Sequence, residues 1–370
     1  MPSKNLFDEP FDEGTLTKLE IFEKYFEAWL LTFIMKQYNK PIQVFDFFAG
    51  IGYDKNGKEG SPIRILKVID KLRGDLAKKN KKVRIFLNDI DPKKYKYLIS
   101  NIDAKVKASS LSAFVEIKIT NTTFQECLEI YQNELSNGCN LIFIDQNGFK
   151  EINEEIFQYL IKLKTTDFIF FVSSSHIHRF ANLPEVQRIH PKFDFQKIKN
   201  THRKKIHNVI CEEYHKYLPR DISNYALIPF SIMKTDNNNV YGIIFVSKHI
   251  SGADKFLNIV WQKNPINGNA NFDIDDDLTK NQLHLFNGKI PTKIEKFQSE
   301  LKEKLLNGEI KNNREAYIYT INQGHIPKHA VEVIRQMKKE KLIHYDSKTP
   351  LLNYKQIFTN KRILNFKVIK

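Results

Sequence analysis

Residues 44–52 (VFDFFAGIG) join an apolar run to a turn of small residues through an aspartate. Glycines at positions 50 and 52 can adopt dihedrals closed to other residues, and they let a ligand approach the main chain. The aspartate falls near the carboxyl end of the run, where open α/β sheets bind ligands. The alternative is a tight turn between a strand and a helix, with no ligand. We predict a cofactor-binding turn formed by Asp46, Phe48, Ala49, Gly50 and Gly52.

Acidic and amide side chains also follow the next two apolar runs, 83–88 and 115–119. A carboxylate accepts two hydrogen bonds, which suits the ribose hydroxyls of a nucleoside, so Asp89 and Asp91 are both predicted cofactor ligands. The alternative for Asp91 is to cap a helix that starts at Pro92. Asn121 is a candidate for contact with an adenine edge, although polar residues end most strands.

Asp145 ends a fourth apolar run and is the predicted catalytic residue. At this place, amino-methyltransferases of nucleic acids carry an acidic or amide residue, then Pro-Pro and an aromatic. The polar oxygens accept hydrogen bonds from an exocyclic amine, and the aromatic stacks on an extruded base. Here Gln146 and Asn147 stand in place of the prolines, and Phe149 is set back. We expect Asp145 to orient the methyl acceptor.

These residues need elements that bring them to one edge of a sheet. Five apolar runs alternate with helical patterns, which predicts right-handed βαβ units and a parallel sheet covered on both faces. Two further runs, 225–233 and 240–246, predict an antiparallel hairpin. The expected fold is α/β, a class I S-adenosylmethionine methyltransferase-like Rossmann fold. A first helix is predicted from Thr17, with a Thr17–Glu20 capping box, and another over about 62–78.

The chain is predicted to divide into four segments. Residues 1–40 form an N-terminal helical lead-in, and residues 41–262 form the Rossmann-like domain with a helical insertion at about 176–225. A linker at 263–290 precedes a winged helix domain at 291–370. Within the insertion, the basic stretch His202–His207 either contacts phosphates or forms a solvated helix face.

The C-terminal segment has the pattern of a winged helix-turn-helix and concentrates positive charge. Three helices are predicted at 292–306, 313–322 and 328–340, followed by wing strands at 342–345 and 363–369. The net charge of +15 favours a polyanionic partner, DNA or RNA, with a protein partner as the alternative. The predicted nucleic-acid-binding residues are Lys328, His329, Arg335, Lys338 and Lys339.

Composition excludes several classes of protein. No uncharged apolar run approaches the ~18 residues that span a bilayer, and the N-terminus lacks the apolar core of a signal peptide, so we expect a cytoplasmic protein without membrane contact. Cys127, Cys139 and Cys211 are too few and too scattered for a disulfide framework or a zinc cage. His176 and His178 have no neighbour at metal-ligand spacing, so no metal site is predicted.

Several segments together resemble the three-Cys-motif partner proteins (TcmP), along nearly the whole chain. They are Phe11–Ile21 (FDEGTLTKLEI), Phe45–Gly52, Gly60-Ser61-Pro62, Phe143–Lys150 and Gly324–Ala330. The resemblance implies a bacterial gene-pair partner with a methyltransferase-like domain, linked to nucleic-acid modification or defence. The three cysteines of the family name belong to the partner protein. Gln146-Asn147 departs from the Asp-Pro-aromatic-Gly motif of the family.

The leading hypothesis is a methyltransferase-like enzyme that uses S-adenosylmethionine on a nucleic acid, together with a three-Cys-motif partner protein. An alternative is a non-catalytic adaptor that binds nucleic acid and recruits that partner. A third is a metal-dependent nuclease that uses Asp46, Asp89 and Asp145.

Overall fold

The structure is a computed structural model that describes residues 9–36, 39–219, 225–234, 239–280 and 290–369. The chain divides into two compact units, Met1–Lys248 and His249–Lys370. Each unit has its own core, and each is described separately below.

Seven strands form the sheet of the first unit. They are β1 (Ile42–Asp46), β2 (Val83–Asn88), β3 (Val115–Thr120), β4 (Cys139–Ile144), β5 (Thr166–Val172), β6 (Ala226–Met233) and β7 (Val240–Ser247). The strand order is β3-β2-β1-β4-β5-β7-β6. β1 to β5 are parallel, whereas β7 pairs antiparallel with both β5 and β6. This topology confirms the predicted class I methyltransferase-like Rossmann fold, including its closing hairpin.

The helices of the first unit lie before β1 and in the connections between the strands. They are α1 (Glu13–Met35), α2 (Ser61–Lys71), α3 (Arg73–Lys78), α4 (Pro92–Ala108), α5 (Phe124–Ile130), α6 (Gln132–Asn137), α7 (Glu154–Lys162), α8 (Ser174–Arg179), α9 (Pro184–Ile189), α10 (Phe195–Asn200) and α11 (Ile206–His215). The central strands β1 and β4 are buried at every position, because helices cover both faces of a parallel sheet.

The first helix corrects the prediction at its N-terminus. α1 begins at Glu13 rather than Thr17, and the Asp12 carboxylate caps it by accepting a hydrogen bond from the Thr15 N–H at 2.7 Å. Thr17 lies inside the helix and is buried, so the predicted Thr17–Glu20 capping box is wrong. The helix packs its aromatic face on the sheet, where Phe22 stacks on Phe143 with ring centroids 4.2 Å apart.

The helix predicted over 62–78 is two helices. α2 ends at Lys71, and Leu72, which has non-helical dihedrals, separates it from α3. Pro62 lies in the first turn of α2, as its missing N–H allows.

The second unit begins with α12 (Ile250–Lys263), and the winged helix elements follow. They are α13 (Asp277–Lys280), α14 (Lys293–Leu306), α15 (Asn313–Asn322), α16 (Pro327–Lys339), β8 (Ile343–His344) and β9 (Lys367–Val368). The three predicted helices are present, and a capping box of Thr292 and Glu295 starts α14. The wing strands are only two residues each, shorter than predicted, and a π-helical turn at Lys355–Thr359 lies between them.

Across both units, no helix among the described residues combines the length and the apolarity that a bilayer span requires.

Candidate functional site at the carboxyl edge of the sheet

The glycine turn after β1 is held by its neighbour β2. Gly50 and Gly52 have φ values of 64° and 90°, in the left-handed region that favours glycine. The Ala49 N–H donates to the Asn88 carbonyl at 2.9 Å, and the Gly50 N–H donates to Asp89 Oδ2 at 3.0 Å. The turn predicted from sequence is therefore a fixed loop, and Phe48 at its start is half-buried against the core.

Asp46 lies beneath this turn, fully buried, with one oxygen unsatisfied. Its Oδ1 accepts a long hydrogen bond of 3.3 Å from the Phe48 N–H, whereas Oδ2 has no partner among the described residues. Burial raises the pKa of Asp46 to about 7, and the nearby Asp145 and Asp89 carboxylates add to the shift. The Ser61 hydroxyl moderates the pKa from nearby, without reaching hydrogen-bond geometry with Oδ2. A buried carboxylate with a free oxygen is costly unless a ligand satisfies it.

Asp89 and Asp91 have different environments, although both were predicted from the sequence as cofactor ligands. Asp89 is 8% exposed; besides the Gly50 N–H it accepts the Asp91 N–H, at Oδ1, at 2.9 Å. Asp91 caps α4 by accepting hydrogen bonds from the N–H groups of Lys93 and Lys94, and these bonds lower its pKa. The contacts of Asp91 are therefore those of the helix cap that was the alternative prediction. Asn121 donates from Nδ2 to the Asp89 carbonyl at 2.7 Å and orders the same edge.

Two further residues lie at this end of the sheet and were not predicted as site residues. Asn88 is buried, and its amide donates to the carbonyls of Phe47 and Thr122, so it ties the ends of β1 and β3 together. Ile90, between the two aspartates, is 63% exposed. Isoleucine is usually buried, so the residue type itself did not indicate that exposure.

Asp145, the predicted catalytic residue, lies at the end of β4 and is 23% exposed. Its Oδ1 accepts a charge-assisted hydrogen bond from Lys18 Nζ at 2.6 Å. Lys18 comes from α1, its side chain is 8% exposed, and its ammonium lies 4.7 Å from the centre of the Phe171 ring. No local pattern indicated this pair, because 127 positions separate its members and only the tertiary fold joins them.

The loop after Asp145 is satisfied internally. Gln146 is buried; its amide donates to the Phe171 carbonyl at 2.8 Å and accepts the Glu151 N–H at 2.8 Å. Phe149 is 1% exposed and packs in the core beside His176 and His190. It therefore has no face available for stacking on a base. Across the described residues, no group of three or more His, Cys, Asp or Glu side chains is placed to hold a metal ion.

In the second unit, the five predicted nucleic-acid contacts on or near α16 divide into two groups. Lys328, Arg335 and Lys339 are exposed. Lys338 is half-buried, and its Nζ donates to the carbonyls of Tyr345 and Ser347 at 2.8 and 2.9 Å, so it holds the loop after β8.

His329 corrects the prediction that it faces solvent. It is 6% exposed, and its Nδ1 lies 3.1 Å from Nδ1 of His325. Burial lowers the pKa of His329 to about 4, with Lys328 and Lys293 contributing in the same direction. The helical pattern missed this burial because histidine was counted with the polar residues.

The comparison with protein families gives a match in the second unit. Residues 273–350 match the family model of the GMT-like wHTH domain. No curated protein matches the chain.

Among solved structures, three methyltransferases are similar in part. The METTL16 MTase domain is 11% identical over 60% of this chain, with a TM-score of 0.29, and the match spans 66% of that chain, just under two thirds. The methyltransferase domain of bacterial CtHen1 is 10% identical over 61% of this chain and 98% of its own, with a TM-score of 0.31. CrArsM, an arsenic (III) S-adenosylmethionine methyltransferase from Chlamydomonas reinhardtii, is 13% identical over 60% of this chain and 72% of its own, with a TM-score of 0.31. The strand order and the family match together define a methyltransferase-like α/β unit followed by a winged helix domain similar to the GMT-like family.

Proposed function

We propose that this chain is an S-adenosylmethionine-dependent methyltransferase-like protein that acts on nucleic acid. The observation that carries the proposal is the buried Asp46 carboxylate, whose Oδ2 has no hydrogen-bond partner in the described part of the chain and lies beneath a glycine turn. The turn and Asp46 lie at the carboxyl end of β1, and Asp89 follows β2; the reversal of strand order, where open sheets bind ligands, falls between β1 and β4 beside them.

The chemistry of these residues fits S-adenosylmethionine. The cofactor carries a sulfonium and an ammonium, and a cationic ligand would satisfy and ionise Asp46. Each oxygen of Asp89 already accepts one backbone N–H and keeps a lone pair for a ribose hydroxyl. Ile90 supplies exposed apolar surface for the face of a base. We assign ribose binding to Asp89, helix capping to Asp91, and support of the edge to Asn121.

The bound cofactor would supply an electrophilic methyl group. Transfer of a methyl group needs mainly alignment of the acceptor, so few catalytic side chains are required. Asp145 is the proposed catalytic residue that orients the acceptor. Its Oδ1 is held by Lys18, which leaves Oδ2 to accept a hydrogen bond from an N–H or O–H of the acceptor. Lys18 thereby acts as a positioning residue for Asp145.

The winged helix is the proposed docking module for the polynucleotide. Winged helix-turn-helix domains place a recognition helix in a groove, and Lys328, Arg335 and Lys339 are exposed on α16. Arg335→Gln should weaken oligonucleotide binding and reduce its dependence on salt, because each phosphate contact contributes to the salt slope. Lys79→Gln, an exposed lysine of the first unit, is the matched control. Equal binding by both variants would indicate a protein partner for this helix.

The proposal also includes cooperation with a three-Cys-motif partner protein in the cytoplasm, which rests on the sequence resemblance. Co-expression of the two proteins and co-purification through a tag on this chain tests it. A chain that recruits the partner and binds nucleic acid, but never binds the cofactor, would be the adaptor.

Calorimetric titration with S-adenosylmethionine and S-adenosylhomocysteine tests the proposed site. Asp89→Asn should weaken binding roughly ten- to hundredfold, since hydrogen bonds to charged groups contribute about 1.5–3 kcal/mol. Asp91→Asn is the matched control two residues away: asparagine caps helices as well as aspartate, so affinity should not change. Equal losses in the two variants would remove the assignment of the ribose to Asp89.

A further inference from the structure

A basic cleft lies in the first unit, beyond the proposed methyl-acceptor position. It has a volume of about 450 Å³ and is lined by Ser175, His178, Arg179, Arg203 and Asn239. Two segments that line it are residues 173–179, after the fifth strand, and the basic stretch 202–207, which are separate in the sequence. The fold brings them together in one cleft.

The sheet topology places this cleft at the same edge as Asp145. Ser175 follows the carboxyl end of β5, and Asn239 immediately precedes β7. Because β7 runs antiparallel to β5, its start lies at the edge where β5 ends. The Val240 N–H donates to Ser175 Oγ at 2.7 Å and joins the two segments. β5 lies between β4, which carries Asp145, and β7.

The charge of the cleft is positive and is not neutralised at Arg179. This side chain is exposed, and no carboxylate in the described ranges forms an ion pair with it. Its guanidinium donates to Asn239 Oδ1, at 3.4 Å. Arg203 also lines the cleft. Lys199, whose carbonyl lies 3.2 Å from His178 Nε2, is exposed. Burial lowers the pKa of nearby His176, and the charges of Arg179 and Lys150 contribute in the same direction.

We propose that this cleft binds a backbone phosphate of a single-stranded polynucleotide whose base is presented to Asp145. A guanidinium, a hydroxyl and an amide converging on one cleft are the donors that phosphate oxygens accept. Neighbouring strands are about 4.8 Å apart, so the cleft begins roughly 5–10 Å along the edge from β4, a span within one nucleotide's reach. This inference rests on the proposed function and specifies its substrate.

The test measures binding of the full chain to a short, labelled single-stranded oligonucleotide across a range of salt concentrations. Arg179→Gln should weaken binding about tenfold and make the salt slope about 0.7 less steep, the value for one phosphate contact on a single strand. Arg203→Gln should act in the same direction. Lys79→Gln, at the opposite edge of the sheet, should change neither quantity beyond the general effect of one charge. Arg179→Gln binding as tightly as the unaltered chain would overturn the inference.

Two further measurements separate the sources of phosphate and the two proposals. Inorganic phosphate and a mononucleotide should compete only weakly for the cleft; competition as strong as that of the oligonucleotide would overturn the assignment to a polynucleotide. Arg179→Gln should bind S-adenosylmethionine with unchanged affinity. An unaltered chain that binds oligonucleotide through Arg179 but binds no cofactor contradicts the proposed function and supports the cleft. Cofactor binding together with oligonucleotide binding that is independent of Arg179 contradicts the cleft alone.

Discussion

Two ends of the same sheet edge differ in how their polar groups are satisfied. At the β1–β2 end, Asp46 Oδ2 is buried and none of the residues that the structure describes forms a hydrogen bond with it, and Ile90 is exposed. At the β4 end, Gln146 uses both ends of its amide, and Lys18 holds Asp145. The β1–β2 end therefore carries an energetic cost that a ligand would relieve, whereas these polar groups at the β4 end already have hydrogen-bond partners within the protein. A protein retains such a cost most readily where it binds something.

The largest expected effect is the pH dependence that Asp46 imposes on stability. The pKa of Asp46 is about 7 in the folded protein, against an ordinary value of 3.8 that applies to the unfolded chain. Between pH 3.8 and pH 7 the folded state therefore binds more protons than the unfolded state. Stability therefore falls as pH rises from about 4 to 7. Asp46→Asn removes this cost, and its free energy of unfolding relative to the unaltered chain should increase from pH 4 to pH 8 by roughly 4 kcal/mol. Denaturant unfolding at both pH values measures it.

Asp54 is the matched control for Asp46, because it is also buried but fully bonded. Burial would raise its pKa, but hydrogen bonds from the N–H groups of Phe11, Lys58 and Asn56 outweigh burial and lower it. Asp54→Asn should therefore destabilise the fold at pH 7, and by less as the pH falls. The same sign for both variants would contradict the contrast between satisfied and unsatisfied carboxylates.

The next largest effect is expected for Gln146, at the β4 end. Gln146→Leu strands the Glu151 N–H and the Phe171 carbonyl, and should lower the free energy of unfolding by about 3 kcal/mol. Cofactor affinity should not change. Gln125→Leu, at an exposed glutamine, should stay within about 0.5 kcal/mol. A loss of cofactor affinity in Gln146→Leu would mean that the two ends are not independent.

A smaller effect is expected for Lys18. Lys18→Met leaves Asp145 without its cation and should cost about 2 kcal/mol, because the pair is largely removed from solvent. Lys24→Met breaks the exposed pair with Glu20 and should cost less than about 0.5 kcal/mol. Thermal or denaturant unfolding of both variants checks the ranking. Equal costs would show that the Lys18–Asp145 pair is no more than a surface contact.

The smallest effect is expected at Asp91. Asp91→Ala removes the cap of α4 and should cost about 1 kcal/mol, whereas Asp91→Asn keeps the cap and should cost little. Neither should change cofactor affinity. If both variants weakened cofactor binding, Asp91 rather than Asp89 would hold the ribose, as the sequence equally allowed.

The sequence predicted the parts of this molecule that depend on local pattern. Alternating apolar runs and helices gave the sheet, and the glycine spacing at 50 and 52 gave a turn with two positive φ values. Glycine spacing is informative because the backbone conformation itself requires the residue. Three helices of the winged helix, α14, α15 and α16, were placed within one residue of their observed ends, since caps and breakers mark them clearly. α12, in the same unit, was not predicted.

Long-range contacts are what the sequence could not provide. Lys18 reaches Asp145 only because α1 packs beside β4, and nothing within either segment encodes the distance between them. The side chain of His329 is covered in part by Trp261, which is distant in sequence and whose ring lies edge-on to it with centroids 4.4 Å apart. Asp89 and Asp91 looked equivalent until the backbone showed which of them faces a helix start.

The central claim is that the Asp46 end of the sheet binds S-adenosylmethionine. Its most direct test is calorimetric titration of the full chain with this cofactor near pH 7, in buffers of different ionisation enthalpy. A cation placed against Asp46 lowers its pKa, so binding should release about half a proton and should tighten as the pH rises toward 8. Asp46→Asn should abolish the proton release. Absence of binding, or binding with the same proton release in Asp46→Asn, would contradict the account.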